Sequence, residues 1–170
     1  MNSMVHVYTG NGKGKTTSAI GLAMRAVGAG MNVYIGQFVK GRKYSELKSL
    51  KDIDNIEIDQ FGQNYFIKGS PTEKDIQSAQ DGFNKIKNIL KSGNYEVVIL
   101  DEANIATYYD LFSVNELIDI IEKRAENVEV IITGRMADKK LIDYADLVTE
   151  MKEIKHYYQK GIVARTGIEK

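Results

Sequence analysis

The sequence contains no cysteine, which excludes disulfides, thiolate metal ligands and thiol redox chemistry. It has no apolar run near the roughly 20 residues of a membrane span. Its start, MNSMVHVYTG, lacks the charged residues and apolar stretch of a signal peptide. Neither charge predominates, because 23 basic residues balance 23 acidic ones, and this argues against a broad nucleic-acid-binding surface. These absences predict a cytoplasmic protein that binds neither membrane nor nucleic acid.

Short apolar runs alternate with helical patterns along the 170 residues, which fit one domain over residues 1–170. Strands are predicted at residues 4–9, 32–38, 56–61, 95–102, 128–134 and 145–151. Two of these runs, YEVVILDE and VEVIITG, are almost continuously apolar, as is typical of strands covered on both faces. Strands that alternate with helices predict a parallel sheet between two helical layers.

Three helices are predicted between these strands. The first covers TTSAIGLAMRAVGAG, and another covers residues 114–125. The start of the longest helix is predicted from SPTE. In this stretch Ser70 is the expected N-cap, Pro71 the first helical residue and Glu73 the partner in a capping box. Its apolar residues recur at spacings of three and four as far as Gly93.

The stretch TGNGKGKTT lies between the first strand and the first helix. The phosphate-loop pattern G-x-x-x-x-G-K-[ST] is matched at Gly14, Lys15 and Thr16, whereas Thr9 stands at its first position and Gly10 follows one residue later. Glycine-rich backbone and a helix N-terminus together donate N–H groups to an anion. We therefore expect Lys15 to reach phosphate oxygens and the Thr16 hydroxyl to bind Mg²⁺.

A second element of such a site is an acidic residue at the end of a neighbouring strand. VVILDE supplies Asp101 and Glu102 where the fourth strand meets its loop, at the sheet edge where open α/β proteins bind ligands. Either acid could hold Mg²⁺ or its waters. The residues predict a three-layer α/β domain of the RecA-like phosphate-loop kind, with a mainly parallel sheet, that binds ATP or GTP. They leave the reaction open.

Several segments carry a resemblance that runs almost end to end. In chain order they are GNGKGKTT, QFVKG with a following SE, VVILDEANIA, VIITGR and the tail IKHYYQKGIVARTGIE. Together they closely resemble the phosphate-loop corrinoid adenosyltransferases, also called cob(I)alamin adenosyltransferases. The resemblance implies transfer of the 5′-deoxyadenosyl group of ATP to the Co(I) centre of a corrinoid, such as cob(I)yrinic acid a,c-diamide or cob(I)alamin. Triphosphate would then be the leaving group.

The resemblance also implies roles for individual residues, through the motifs that they match. It assigns Lys15 and Glu102 to catalysis. The expected metal ligands are Thr16 and Glu102, with Asp101 in support. The expected ATP-binding residues are Gly10, Asn11, Gly12, Lys13, Gly14, Lys15, Thr16, Thr17 and Arg135. The candidate corrinoid contacts are Tyr65, Phe66 and Glu46; this chain has no tryptophan, although the family carries one near the place of Ile67.

The expected partners follow from the same resemblance. They are Mg²⁺ as cofactor, ATP as co-substrate, a corrinoid as substrate, a second copy of the chain in a homodimer, and an external reductant such as a reduced flavoprotein. The segment KGRK at residues 40–43 stays open between a solvated loop and a contact to corrinoid or phosphate. Two other functions also stay open: a phosphate-loop kinase or NTPase, and a carrier that holds ATP and corrinoid without turnover. The phosphate product discriminates among them.

Overall fold

A parallel sheet forms the centre of the structure, a computed structural model that describes residues 3–42, 44–65, 67 and 69–169. The strands are Val5–Thr9 (β1), Val33–Phe38 (β2), Ile56–Phe61 (β3), Val97–Asp101 (β4), Glu129–Thr133 (β5) and Leu147–Glu150 (β6). The helices are Lys15–Gly28 (α1), Ser45–Leu50 (α2), Glu73–Ser92 (α3), Ala103–Tyr108 (α4), Val114–Glu122 (α5) and Lys139–Tyr144 (α6), and a 3₁₀ turn spans Tyr157–Lys160. Each predicted strand is therefore present within about two residues.

The strand order is β3-β2-β4-β5-β1-β6, and every neighbouring pair is parallel. β5 lies between β1, which leads into the glycine-rich loop, and β4, which ends in the acidic pair. The register places Tyr8 beside Thr133 and Gln37 beside Asp101. The carboxyl ends of these strands consequently meet at one edge of the sheet, as the predicted RecA-like phosphate-loop fold requires.

Helices cover both faces of the sheet, because alternate residues of each strand point to opposite sides. On β4, Val98 and Leu100 pack with α3, α4, α5 and α6, whereas Val97 and Ile99 pack with α1 and α2. All four residues are buried, and each such side chain contributes about 1.5–3 kcal/mol relative to exposure. The predicted three-layer architecture is confirmed.

The N-terminus of α3 differs from its prediction. The N-cap is Thr72 and not Ser70, because the Thr72 hydroxyl accepts from the Asp75 N–H while the Asp75 carboxylate accepts from the Thr72 N–H. The sequence offers two such spacings, Ser70 to Glu73 and Thr72 to Asp75, and the second forms a helix that begins at Glu73. The predicted end is correct, since Gly93 closes the helix in the left-handed conformation at φ 65°.

The short helices α2, α4 and α6 were not predicted from the sequence. Each has six residues, fewer than two turns, so no apolar periodicity can develop within it. Among the helices of the described residues, none combines the length and the apolar character needed to cross a membrane.

Candidate functional site

The glycine-rich loop joins β1 to α1 at the carboxyl edge of the sheet. Gly14 is the N-cap of α1 at φ 122°, a conformation that favours glycine. Since glycine has no side chain, no capping side chain occupies the N–H groups at the start of this helix. The first turn of α1 also carries no acidic residue. The positive end of the helix dipole therefore meets no compensating carboxylate in its own first turn, which makes this end suited to an anion.

Lys15 folds back over the loop. Its ammonium donates to the carbonyl oxygens of Gly10 and Gly12, each at 2.7 Å. The side chain is buried, and burial lowers the pKa of Lys15, an effect that the nearby Glu102 carboxylate partly offsets. The loop thus encloses a cation that donates to neutral carbonyl oxygens, which a phosphate oxygen can replace at an electrostatic gain.

Asp101 is the centre of the buried polar network beside the loop. Its Oδ1 accepts from the hydroxyls of Thr16, at 2.8 Å, and Thr133, at 2.6 Å. Its Oδ2 accepts from Lys40 at 2.6 Å and from Gln37 at 3.1 Å. Burial alone would raise the pKa of Asp101, but the Lys40 ammonium and these hydrogen bonds hold it below its ordinary value. The carboxylate is therefore charged, and it links β4 to the loop, β2 and β5.

Glu102 adopts a left-handed backbone at φ 60°, and its N–H donates to the Thr133 hydroxyl at 3.1 Å. This turn directs its side chain toward the loop after β5, where Glu102 Oε2 would lie 3.2 Å from a methyl group on Gly134. Burial, followed by the Asp101 charge, raises the pKa of Glu102. The two adjacent acids therefore differ. The pKa of Asp101 is lowered by its donors, whereas at Glu102 burial and the Asp101 charge outweigh the nearby cations Lys40, Lys15 and Arg135.

Thr133 is a site residue that the sequence analysis missed, and Lys40 belongs to the segment KGRK, whose role the sequence left open. Lys40 follows β2, and its ion pair with Asp101 is buried. Asp101 and Glu102 raise the pKa of Lys40 above its ordinary value, although burial, the largest single effect, opposes them. The open alternative of a solvated loop is thus wrong for Lys40, whose ammonium contacts a carboxylate of the protein; the alternative of a contact to corrinoid or phosphate stays a prediction. The sequence pattern that could have identified these residues is weak, because it consists of a lysine shortly after the apolar strand β2 and a threonine at the end of the apolar strand β5.

The backbone that delivers Lys40 is strained. Val39 has φ 49°, a left-handed value that is unfavourable for a β-branched residue and costs about 1–3 kcal/mol. The Val39 N–H donates to the Phe61 carbonyl at 3.1 Å, and a methyl group on Gly62 would lie 2.4 Å from the backbone nitrogen of Lys40. The segment after β3 therefore presses on the turn and holds its conformation.

The C-terminal segment, residues 151–169, lies against the glycine-rich loop. The Met151 N–H donates to Thr9 at 2.8 Å, and the Met151 carbonyl accepts from the Gly12 N–H at 2.6 Å. Further along, the Lys13 ammonium donates to the Glu169 carboxylate at 2.9 Å and to the Tyr157 hydroxyl at 3.3 Å. The tail motif that carried part of the family resemblance is thus in direct contact with the phosphate loop.

The other predicted site residues lie around this centre. Asn11, Thr17 and Arg135 are exposed at the loop, at the first turn of α1 and after β5, and Arg135 is near enough to influence the pKa of Lys15 and of Glu102. Glu46 lies in the first turn of α2, where its charge contributes to the raised pKa of Lys40.

Of the aromatic candidates, Tyr65 follows β3 at the same edge of the sheet. It is 44% exposed, and its hydroxyl lies 3.3 Å from Thr72 Oγ1 at the start of α3. Phe66 lies outside the described residues. The structure therefore brings together the loop, the acidic pair and Arg135, and it leaves Tyr65 as an exposed aromatic between β3 and α3.

Comparison with known proteins gives a consistent result. The family model described as "ATP:corrinoid adenosyltransferase BtuR/CobO/CobP" matches residues 1–169. The corrinoid adenosyltransferase of Escherichia coli strain K12 is 32% identical over 166 residues, covering 98% of this chain and 85% of the relative. Corrinoid adenosyltransferase CobA of Salmonella typhimurium strain LT2 is 34% identical over 166 residues, with the same coverage of 98% and 85%. A third, from a Sinorhizobium species, is 34% identical over 170 residues, 98% of this chain and 79% of the relative.

The matched region contains the loop, the acidic strand end and the tail that contacts the loop. A family match over nearly the whole chain and relatives above 30% identity are in agreement with the fold and with the geometry of this edge of the sheet. This chain belongs to the ATP:corrinoid adenosyltransferase family.

Proposed function

We propose that this protein transfers the 5′-deoxyadenosyl group of ATP to the Co(I) centre of a corrinoid and releases inorganic triphosphate. A bond forms between cobalt and C5′ while the C5′–O bond breaks, and the electron pair of that bond leaves with the triphosphate. Cobalt supplies two electrons and becomes formally Co(III). Because reduced cobalt is itself a strong nucleophile, the protein needs no serine or cysteine nucleophile.

One observation supports the proposal most directly. The Thr16 hydroxyl donates to the Asp101 carboxylate at 2.8 Å, beside a loop that already encloses the Lys15 ammonium. The loop amides, Lys13 and Lys15 would stabilise charge that builds on the leaving triphosphate. Holding the triphosphate in one orientation would also set the line of attack on C5′.

The donor set fits a magnesium ion. It consists of one hydroxyl, from Thr16, and two consecutive carboxylates, from Asp101 and Glu102. Mg²⁺ uses one or two carboxylates together with substrate phosphates and water, and the described residues contain no cluster of three or more His, Cys, Asp or Glu that could hold a metal alone. When bound, Mg²⁺ would supply Lewis-acid stabilisation of the triphosphate. The raised pKa of Glu102, which burial causes first and the Asp101 charge second, means that a further cation beside it would stabilise its anion.

The remaining roles follow the family. Arg135 is proposed to contact the nucleotide, and Tyr65, Phe66 and Glu46 the corrinoid. A homodimer of single-domain chains, a cytoplasmic location and an external reductant such as a reduced flavoprotein stay predictions. Cob(I)yrinic acid a,c-diamide and cob(I)alamin are both proposed substrates.

The test is an anaerobic reaction of the protein with Mg·ATP and chemically reduced corrinoid. Adenosylcorrinoid is followed by its visible spectrum and its loss on illumination, and phosphate products are assayed in parallel. We expect adenosylcorrinoid and triphosphate in equal amounts, a loss of both in Lys15→Ala, and no loss in Lys139→Ala, whose side chain is 83% exposed and pairs with Asp143. ADP and phosphate as products would instead identify an NTPase or kinase, and bound ATP without turnover would identify a carrier.

A further inference from the structure

The Lys40 ammonium lies between two groups proposed to bind the metal. It is 2.6 Å from Asp101 Oδ2 and 3.4 Å from Thr16 Oγ1, and only 13% of its side chain is exposed. A magnesium ion would have to approach the same oxygens to about 2.0–2.1 Å. An ammonium and a divalent cation cannot share this position, because two cations at contact distance in a buried site repel each other strongly.

The backbone conformation before Lys40 fixes the position of this lysine beside Asp101. The strained turn at Val39, at φ 49°, sets the course of the chain just before Lys40. Gly41 and Gly62 pack closely around this turn. A methyl group on Gly41 would lie 2.5 Å from the Gly62 carbonyl oxygen, and one on Gly62 would lie 2.4 Å from the backbone nitrogen of Lys40. Backbone strain of this kind persists only where the surroundings enforce it, and it concentrates at functional sites.

The charges around this position need a cation. Asp101 and Glu102 are adjacent carboxylates, and Asp101 is only 1% exposed. Lys15, a second buried lysine at this edge of the sheet, donates to carbonyl oxygens of the loop and not to these acids. Without Lys40 and without metal, Asp101 would be a buried carboxylate with no ion-pair partner among the residues that the structure describes, which is strongly unfavourable.

We propose that Lys40 is a positioning residue that takes the place of the divalent cation: its ammonium neutralises Asp101 while no metal is bound and is displaced when the metal binds. This inference rests on the proposed magnesium site. One consequence is that metal alone binds weakly, because it must expel the ammonium from Asp101. Metal that arrives with ATP brings phosphate oxygens, which compensate for that displacement.

The test measures Mn²⁺ binding, by the electron paramagnetic resonance signal of the unbound ion, to wild type, Lys40→Met and Lys85→Met. Methionine keeps the apolar length of lysine without its charge. Lys85 is a matched control because it also pairs with a carboxylate, Asp59 at 2.5 Å, but on the outer surface of β3 and α3. We expect Lys40→Met to bind Mn²⁺ alone about tenfold or more tightly than wild type, a difference of about 1.4 kcal/mol, and Lys85→Met to match wild type.

Thermal unfolding provides a second readout that activity does not influence. We expect Lys40→Met to unfold at a lower temperature than wild type without metal, and Mn²⁺ to raise its midpoint more than that of wild type. If Lys40→Met does not fold, Lys40→Gln purified with Mn²⁺ keeps a donor without the charge and is tested in the same way. Mn²⁺ affinity in these variants equal to that of wild type would overturn the role of Lys40.

The two proposals fail differently. If wild type binds no Mn²⁺ even with ATP, the magnesium site itself is wrong, and the inference about Lys40 is wrong with it. If wild type binds Mn²⁺ with ATP but the Lys40 variants gain no affinity for Mn²⁺ alone, only the inference about Lys40 is wrong, and the adenosyltransferase proposal is unaffected.

Discussion

Replacing Thr133 with valine removes one hydroxyl that serves two partners at the carboxyl edge of the sheet. Thr133 is fully buried at the end of β5. Its hydroxyl donates to Asp101 Oδ1 at 2.6 Å and accepts from the Glu102 N–H at 3.1 Å. Valine has nearly the same shape, so the substitution changes hydrogen bonding and leaves the packing volume almost unchanged.

The magnitude follows from these two bonds. A hydrogen bond to a charged group contributes about 1.5–3 kcal/mol, and a buried N–H left without an acceptor costs about 1–3 kcal/mol. We therefore expect Thr133→Val to lower the free energy of unfolding by about 4 kcal/mol, out of a total of about 5–15 kcal/mol. At about 2–4 °C for each kcal/mol in a domain of this size, the melting temperature should fall by about 8–16 °C.

Thr133→Ser is the matched control, because it keeps the hydroxyl and removes one buried methyl group. Its expected cost is about 1 kcal/mol, or about 2–4 °C. Urea unfolding of wild type and both variants, with the slopes compared to verify a common unfolding transition, measures the difference. If valine and serine differ by less than about 1 kcal/mol, the hydroxyl does not hold the acidic pair in place, and the account of the network around Asp101 is wrong.

Three further predictions concern the acidic pair, the loop and the tail. The pKa of Glu102 is raised from an ordinary 4.5 in the folded protein. Glu102→Gln should therefore stabilise the metal-free protein at about pH 8 and lose this advantage at about pH 4, as measured by urea unfolding. Equal gains in stability at the two pH values would contradict the burial argument. A methyl group on Gly12 would lie 2.7 Å from the Met151 carbonyl oxygen, so Gly12→Ala should destabilise the protein by about 1–3 kcal/mol. As a control, a methyl group on Gly21 in α1 would meet nothing within 4 Å, so Gly21→Ala should stabilise the protein by up to about 1 kcal/mol. Glu169→Gln weakens the ion pairs of Glu169 with Lys13 in the loop and with Arg165 in the tail, and it should speed tryptic cleavage within residues 152–165. Glu153→Gln keeps an oxygen that can accept from Gln159, so it should leave the cleavage rate near that of wild type.

Local patterns predicted the larger elements correctly. The runs that became β4 and β5 are apolar without interruption because both faces of each strand are covered. The loop was recognisable because glycine, lysine and threonine stand in a fixed order between a strand and a helix. The N-cap of α3 was predicted at Ser70 in place of Thr72, because two equivalent capping spacings occur within six residues, and only the packing of the helix chooses between them.

The sequence by itself determined that this protein has a parallel α/β fold, a phosphate loop and an acidic strand end, because each depends on residues close together in the chain. Only the tertiary structure decided that the pKa of Asp101 is lowered while that of Glu102 is raised, and which cation pairs with Asp101. Asp101 meets Thr16, Lys40 and Thr133 across separations of 85, 61 and 32 residues, and Lys13 meets Glu169 across 156. No local pattern encodes such contacts, since they arise when the order of strands in the sheet brings distant carboxyl ends to one edge.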